Sequence, residues 1–228
     1  MCARYAFFSG RMFADDFGLT VVPELEPRFN IAPTQIVPAI VREKGHRQLD
    51  FFKWGLVPSW AKDPSIGIKM INARSESVME KPAFKAAFRR RRCLIPADGF
   101  FEWDGEGRTK QAYFIYRPDQ KPFAMAGLWE EWESPDELIR SCTILTCEPN
   151  YLMSEINDRM PVILQDDAAC EKWLATPEED REFLNHLMVP CDDDFLTKRR
   201  VGREVGNPRN EGPEIIAEVG TSSLFDLD

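Results

Sequence analysis

Cys2 stands directly after the initiator methionine. If Met1 is removed, this residue carries a free α-amine and a thiol two carbons apart, a pair that no internal residue can offer. A 1,2-aminothiol meeting an aldehyde forms an imine through nitrogen and then closes a five-membered thiazolidine through sulfur, because the second nucleophile is already tethered beside the imine carbon. An α-amine with a pKa of about 7.7 to 8.0 is partly neutral at cellular pH and needs no special activation. Two other segments set a polar residue among apolar neighbours. Asn72 follows Met70-Ile71, where a buried amide must find partners. Glu102 lies between Phe100-Phe101 and Trp103, where desolvation raises a carboxyl pKa and makes it a better proton carrier near neutral pH. Taken singly, each has an ordinary alternative: Cys2 as the start of a strand, Asn72 as a turn residue, Glu102 as an outward position of an alternating strand.

The elements that must position these residues are short and strand-rich. Cys2 to Phe8 reads as a strand closed by Ser9-Gly10, and Arg11 to Leu19 as a short helix. Pro23, Pro27, Pro33 and Pro38 predict an extended loop over Glu24 to Thr34. Ile36 to Arg42 and Gln48 to Trp54 read as a hairpin turning at Gly45, followed by an ordered loop, residues 54 to 60, that presents Trp54 and Trp60. A helix is expected near Pro82 to Arg90, with Pro82 in its first turn. Strands are expected around 92–95, 100–103, 112–116, 123–128, 141–147 and 160–164. Two further helices read at 167–175, capped from 165–167, and at 178–186, capped by Thr176-Pro177. The acidic tail over 220–228 is expected to fray. No βαβ alternation occurs, so the fold class is α+β: one strand-rich domain over residues 1–228, of mixed and antiparallel sheets closing into a barrel-like core with a few peripheral helices.

Composition narrows the function. With 228 residues, 43% of them hydrophobic, the chain can bury one sizeable core, and no apolar run of about 18 residues suggests a membrane span. The six cysteines show neither a C-x-x-C pair nor a Cys/His spacing suited to zinc, so no metal is expected; Cys93, Cys142 and Cys147 read as small core residues. The net charge of -9 hides an asymmetry: residues 1–92 hold 16 Lys/Arg against 9 Asp/Glu, and residues 93–228 hold 13 against 29. One basic face and one acidic, solubilising remainder follow, which keeps a polyanionic partner open. The run Arg89 to Arg92, by itself, is a helix end whose cations complement the dipole.

In order along the chain come Cys2-x-Arg4, Arg28-Phe29-Asn30-Ile31-Ala32-Pro33-Thr34, Trp54-Gly55-Leu56-Val57-Pro58-Ser59-Trp60, Ile71-Asn72-Ala73-Arg74-x-Glu76, Cys93 through Trp103, Asp158-Arg159-Met160-Pro161-Val162 and Val205-Gly206-Asn207. This series resembles the SRAP family, the SOS response-associated peptidase or abasic site processing proteins, over Cys2 to about Val219. The resemblance implies a DNA-damage protein that binds single-stranded DNA and joins its amino-terminal cysteine to the ring-opened aldehyde of an abasic site, shielding the lesion. It also implies associated lyase activity and peptidase activity on its own amino terminus. By the same resemblance Asn72 holds the amino-terminal residue and the lesion sugar, Glu102 shuttles protons, and Arg4, Arg74 and Arg159 contact phosphates. Trp60 stacks on a base, a contact worth about 1 to 3 kcal/mol, and Pro33 and Trp54 shape the same groove, with core packing the plainer role for Trp54. The expected partner is single-stranded DNA carrying an abasic site, met by a monomer in the bacterial cytoplasm and at the nucleoid, with no cofactor, metal or membrane.

Two departures from the family pattern matter. Ala3 replaces a glycine after the cysteine, which tightens the turn around the nucleophile. Asn157 stands where the family normally carries a histidine thought to open the sugar ring and reverse the crosslink; an amide hydrogen-bonds but exchanges no proton near neutral pH. The alternative function is therefore a non-covalent single-strand or junction-binding module with impaired catalysis. A thiol peptidase acting on other proteins ranks last, because no Cys/His pairing supports it.

Overall fold

The computed structural model describes residues 2–10, 16–19, 21, 23–105, 110–177 and 180–220. In chain order its elements are β1 (Tyr5–Phe7), β2 (Arg28–Ile31), β3 (Ile36–Glu43), β4 (His46–Trp54), β5 (Asn72–Arg74), helix α1 (Pro82–Arg90), β6 (Arg92–Ala97), β7 (Gly99–Asp104), β8 (Gln111–Tyr116), β9 (Phe123–Glu133) and β10 (Leu138–Cys147). The one-turn helix α2 (Tyr151–Ser154) follows, then β11 (Met160–Pro161), β12 (Ile163–Leu164), α3 (Asp167–Ala175), α4 (Arg181–Leu187) and β13 (Thr197–Val201). The expected α+β, strand-rich class holds. None of the described helices is long and apolar enough to cross a membrane.

Five strands close into a barrel. β3 pairs antiparallel with β4, β4 parallel with β10, β10 antiparallel with β9, β9 antiparallel with β6, and β6 antiparallel with β3 through Ile40 and Leu94. The β3–β4 hairpin turns on Lys44 (φ 49) and Gly45 (φ 86), the left-handed pair that a two-residue hairpin turn requires. Phe52, Leu94, Ala126 and Ile144 belong to the main core, in which Trp54 and Trp173 are the largest fully buried side chains. β5 lies parallel beside β10 outside the ring. A second sheet, ordered β13-β8-β7-β1-β2, packs against the barrel through Tyr5, Phe100 and Ile115, and buries a smaller cluster of Phe101, Phe114, Val201, Val205 and Ile215 on its other face. Of the functional candidates, Glu102 lies on this second sheet and Cys2 and Arg4 just before its strand β1, whereas Asn72 and Arg74 lie on β5.

Several expectations need correction. Arg28–Ile31 is a strand, not part of a loop: the flanking Pro27 and Pro33 sit just outside it, and residue 28 onward is free to pair with β1. Asn72 starts a strand, where a turn was the alternative. Helix α4 is capped by Asp180, whose side chain accepts from Phe183 N at 3.2 Å, rather than by Thr176-Pro177. The strand Thr197–Val201 was not anticipated, since three consecutive cations hide its pattern. Most of the expected helix over Arg11 to Leu19, and the tail beyond residue 220, lie outside the described residues.

Candidate active site

β1 presents the nucleophile. It is short because Ala6 and Tyr5 are held by β7 through Gly99 and Phe100, and Phe101 N donates to Arg4 O at 2.9 Å just before β1 begins. The Cys2 thiol points to that same carbonyl, with Sγ 3.8 Å from Arg4 O, and the residue is fully buried. Burial pushes the thiol pKa well up, and the charge of Glu102 pushes it further in the same direction. A thiol held neutral in this way is a poor first nucleophile.

Glu102, on β7, is 3% exposed, and burial raises its pKa. The charge of the amino terminus and hydrogen bonds oppose that rise, among them one from Asn157, whose Nδ2 donates to Glu102 Oε2 at 3.0 Å. The amide of Asn157 has one orientation, because its Oδ1 accepts from Arg159 N at 3.1 Å. Glu102 and Asn157, two of the four catalytic candidates, are thus in direct contact, and Cys2 is set beside β7 by the Arg4–Phe101 bond.

Asn72 lies on β5, beside the barrel. β5 runs parallel to β10 with Asn72 opposite Ile144 and Arg74 opposite Thr146. Asn72 Nδ2 donates to Ile71 O at 3.0 Å, whereas its Oδ1 is buried without a hydrogen-bond partner among the described residues. Such an acceptor is costly unless something arrives to donate to it. Thr146 O accepts from Arg159 Nη2 at 2.6 Å, so the β5–β10 ladder also sets the backbone that orients Asn157.

The five residues expected to bind DNA divide. Trp60 is 58% exposed, steadied by an Nε1 bond to Pro82 O at 3.3 Å, and borders a groove of about 470 Å³ with Lys62, Ser65, Ile66 and Lys69 along it. The loop behind it is anchored by a backbone approach that only glycine permits: a Cβ on Gly55 (φ 128) would stand 2.6 Å from Gly67 O. Arg74 is exposed at the end of β5. Pro33 opens a turn whose next residue, Thr34, donates its N to Trp54 O at 2.8 Å, while Trp54 itself is core, with Nε1 bonded to Ile71 O. Arg4 is half-buried and committed, donating to Asn30 Oδ1 (2.9 Å), Val205 O (3.0 Å) and Gly206 O (3.2 Å). Asn30 in turn donates to the carbonyls of Val205, Asn207 and Asn210, so the pair clamps the 205–210 turn beside the nucleophile. Arg159 departs most from expectation. It is 8% exposed, and Glu76 takes both ends of its fork, Nη1 to Oε1 at 2.5 Å and Nη2 to Oε2 at 3.0 Å. In this conformation it organises the site and offers little to a phosphate.

Two features escaped the sequence. Asp98, on the turn into β7, accepts from Phe8 N (2.6 Å), Ser9 N (2.9 Å) and Ser9 Oγ, fixing the far end of β1. Lys198 on β13 bonds Glu155, two residues before Asn157; a Lys-Arg-Arg run carries no sequence signal of such a position.

The family model described as SRAP, SOS response associated peptidase, matches residues 1–208. Among curated proteins, the chain is similar to the abasic site processing protein YoqW of Bacillus subtilis strain 168, at 40% identity over 222 residues, covering 95% of this chain and 99% of that one. It is also similar to the abasic site processing proteins YedK of Escherichia coli K12 (33% over 230 residues, 96% and 100% covered) and HMCES of Xenopus tropicalis (33% over 225 residues, 85% and 67% covered). A crystal structure of a Bacteroides thetaiotaomicron protein superposes with a TM-score of 0.84 at 27% identity, covering 96% of this chain and all of that one. On the strength of the family match and these relatives, the chain belongs to the SRAP family.

Proposed function

We propose that this protein captures abasic sites in single-stranded DNA through its amino-terminal cysteine. Once Met1 is removed, the neutral α-amine of Cys2 attacks the C1′ aldehyde of the ring-opened sugar, and loss of water gives an imine. The thiol then adds to the imine carbon, its proton passes to the nitrogen by way of Glu102, and a thiazolidine closes. The observation that carries the reading is the placement of the buried Cys2 against β7, where Phe101 N donates to Arg4 O and the buried Glu102 is the next residue: a thiol held neutral by burial suits second attack on a tethered imine better than first attack on a free carbonyl. The unpartnered Asn72 Oδ1 is suited to accept from the incoming amine or a sugar hydroxyl. Trp60 and Arg74 offer the exposed stacking face and cation that a single strand uses. The same site would serve strand-cleaving lyase chemistry and removal of the chain's own Met1.

Intact mass spectrometry tests this directly, with an oligonucleotide bearing one abasic site and Cys2→Ala alongside. The expected result is a chain lacking Met1 that gains the oligonucleotide mass, survives heat and detergent, and loses the adduct in Cys2→Ala. A processed chain with no adduct would sink the covalent reading.

A second reading, non-covalent binding, is favoured by Asn157 alone, since the amide beside Glu102 can hold a proton carrier but cannot be one. Asn157→His separates the two. Faster ring opening or crosslink reversal in the variant shows that the amide limits a covalent protein, whereas an adduct appearing only in the variant makes the native chain a binding module.

A further inference from the structure

A cation stands on the face of the second sheet that carries Glu102, and neither the motifs nor the relatives' names point to it. Two separate lines of contact place Lys198 there. Through the sheet, Glu102 lies opposite Tyr113 across β7–β8, and Tyr113 opposite Arg200 across β8–β13. Directly opposed residues share a face, as do residues two apart on one strand, so Lys198 projects on the same side as Glu102. Its Nζ lies 5.5 Å from the centroid of the Tyr113 ring. Through the loop, Lys198 Nζ bonds Glu155 Oε2 at 2.5 Å, and two residues further on Asn157 donates to Glu102. The lysine is half-buried and the glutamate exposed. An ion pair with one member in water is readily exchanged, and a lysine ammonium on its flexible stem binds phosphate as a point charge.

We propose that Lys198 is a phosphate contact for the DNA strand on this face of the sheet, held by Glu155 in the free protein and transferred to a phosphodiester when the strand binds. The inference rests on the abasic-DNA reading and adds to it a binding residue and the carboxylate that competes for it. The ring of Tyr113, 5.5 Å from the ammonium, steadies it on that face in either state.

The test is equilibrium binding of a single-stranded oligonucleotide containing a stable abasic analogue, in a Cys2→Ala parent so that no covalent adduct forms, at several salt concentrations. Lys198→Ala should weaken binding several-fold at low salt and reduce the log–log salt slope by about 0.7, the change for one lost phosphate contact on a single strand. Lys198→Arg should keep the parent slope. Glu155→Gln should tighten binding, because the ammonium is no longer taken. An unchanged slope in Lys198→Ala, or Glu155→Gln weakening binding as much as Lys198→Ala does, would reduce the pair to a staple between β13 and the 155–157 turn and overturn the inference. A parent that binds while Lys198→Ala keeps its slope removes this inference alone; a parent that does not bind abasic DNA removes the functional reading with it.

Discussion

The two ends of β7 each bury a carboxylate, and they use it for opposite purposes. Asp98, 4% exposed at the entry to the strand, accepts from two backbone N–H groups and a hydroxyl of Phe8 and Ser9. Glu102, four residues on, is no more exposed, yet it follows the residue that holds the amino-terminal segment and takes a bond from an amide on a distant turn. Burial raises the pKa of both. What separates them is the identity of the neighbours: fixed local donors make a carboxylate a strut, while an oriented amide on a distant turn and the amino-terminal segment leave it able to take and return a proton. A buried acid is therefore informative about function only through its partners.

The largest effect that would sharpen this contrast is kinetic. Glu102→Gln keeps the shape and the acceptor for Asn157 but cannot carry a proton, so adduct formation should slow by about 100-fold or more, within the usual range for general acid–base help. Single-turnover crosslinking followed on denaturing gels measures it. A rate within about threefold of the native protein would mean that Glu102 is only a wall of the pocket.

Next comes Asp98→Ala, which leaves the amides of Phe8 and Ser9 without their acceptor and should cost about 2 to 3 kcal/mol of unfolding free energy in urea. The folded fraction should crosslink at the native rate. A stable variant that crosslinks poorly would erase the distinction between the two ends of the strand.

A smaller effect concerns stability and pH. Because burial raises the folded-state pKa of Glu102 above its unfolded value of about 4.3, its favourable contribution is fully present below that unfolded value and is lost as pH rises through the folded one. Glu102→Gln should consequently melt above the native protein at pH 7, with the difference closing near pH 4. Paired melting curves across that range give the answer, and a variant less stable at pH 7 would show that the ionised form is the better accommodated.

Much of this arrangement was legible in the residues, for reasons that differ from part to part. The β3–β4 hairpin, α1 and α3 carry their own punctuation: Gly45 at a left-handed turn, Pro82 in a first turn, Asp166 as a cap bonded to Ala169 N. The apposition of Cys2 with Glu102 depends on pairing across 95 positions of chain, so no local pattern contains it, and only the family's motif order suggested it. β2 was hidden because prolines on both sides look the same whether they break a strand or bound it. Residue type left the partner of Arg159 open. A guanidinium fits phosphate and carboxylate alike, and which of them it meets is decided by Glu76, a residue whose own carboxyl that fork holds below its ordinary pKa. Lys198 was invisible because an edge strand of cations satisfies its pattern equally well in solvent.

The smallest prediction bears on the amide that distinguishes the two carboxylates. Asn157→Leu removes the donor to Glu102 and leaves the Arg159 amide without its acceptor, while Glu76 and Thr146 still hold the Arg159 side chain. With nothing at that position to stabilise the ionised form, the Glu102 pKa should move further up. The pH at which crosslinking turns on should move up with it, since a carboxylate is needed to accept the thiol proton. At a pH well above that transition the rate should fall by no more than about tenfold, because the proton carrier itself is intact. Crosslinking rates measured from pH 5 to 9 separate this from a structural lesion, which would lower the whole profile without moving it; an unmoved profile would mean that the orientation of Glu102 comes from β7 alone and that Asn157 fills space.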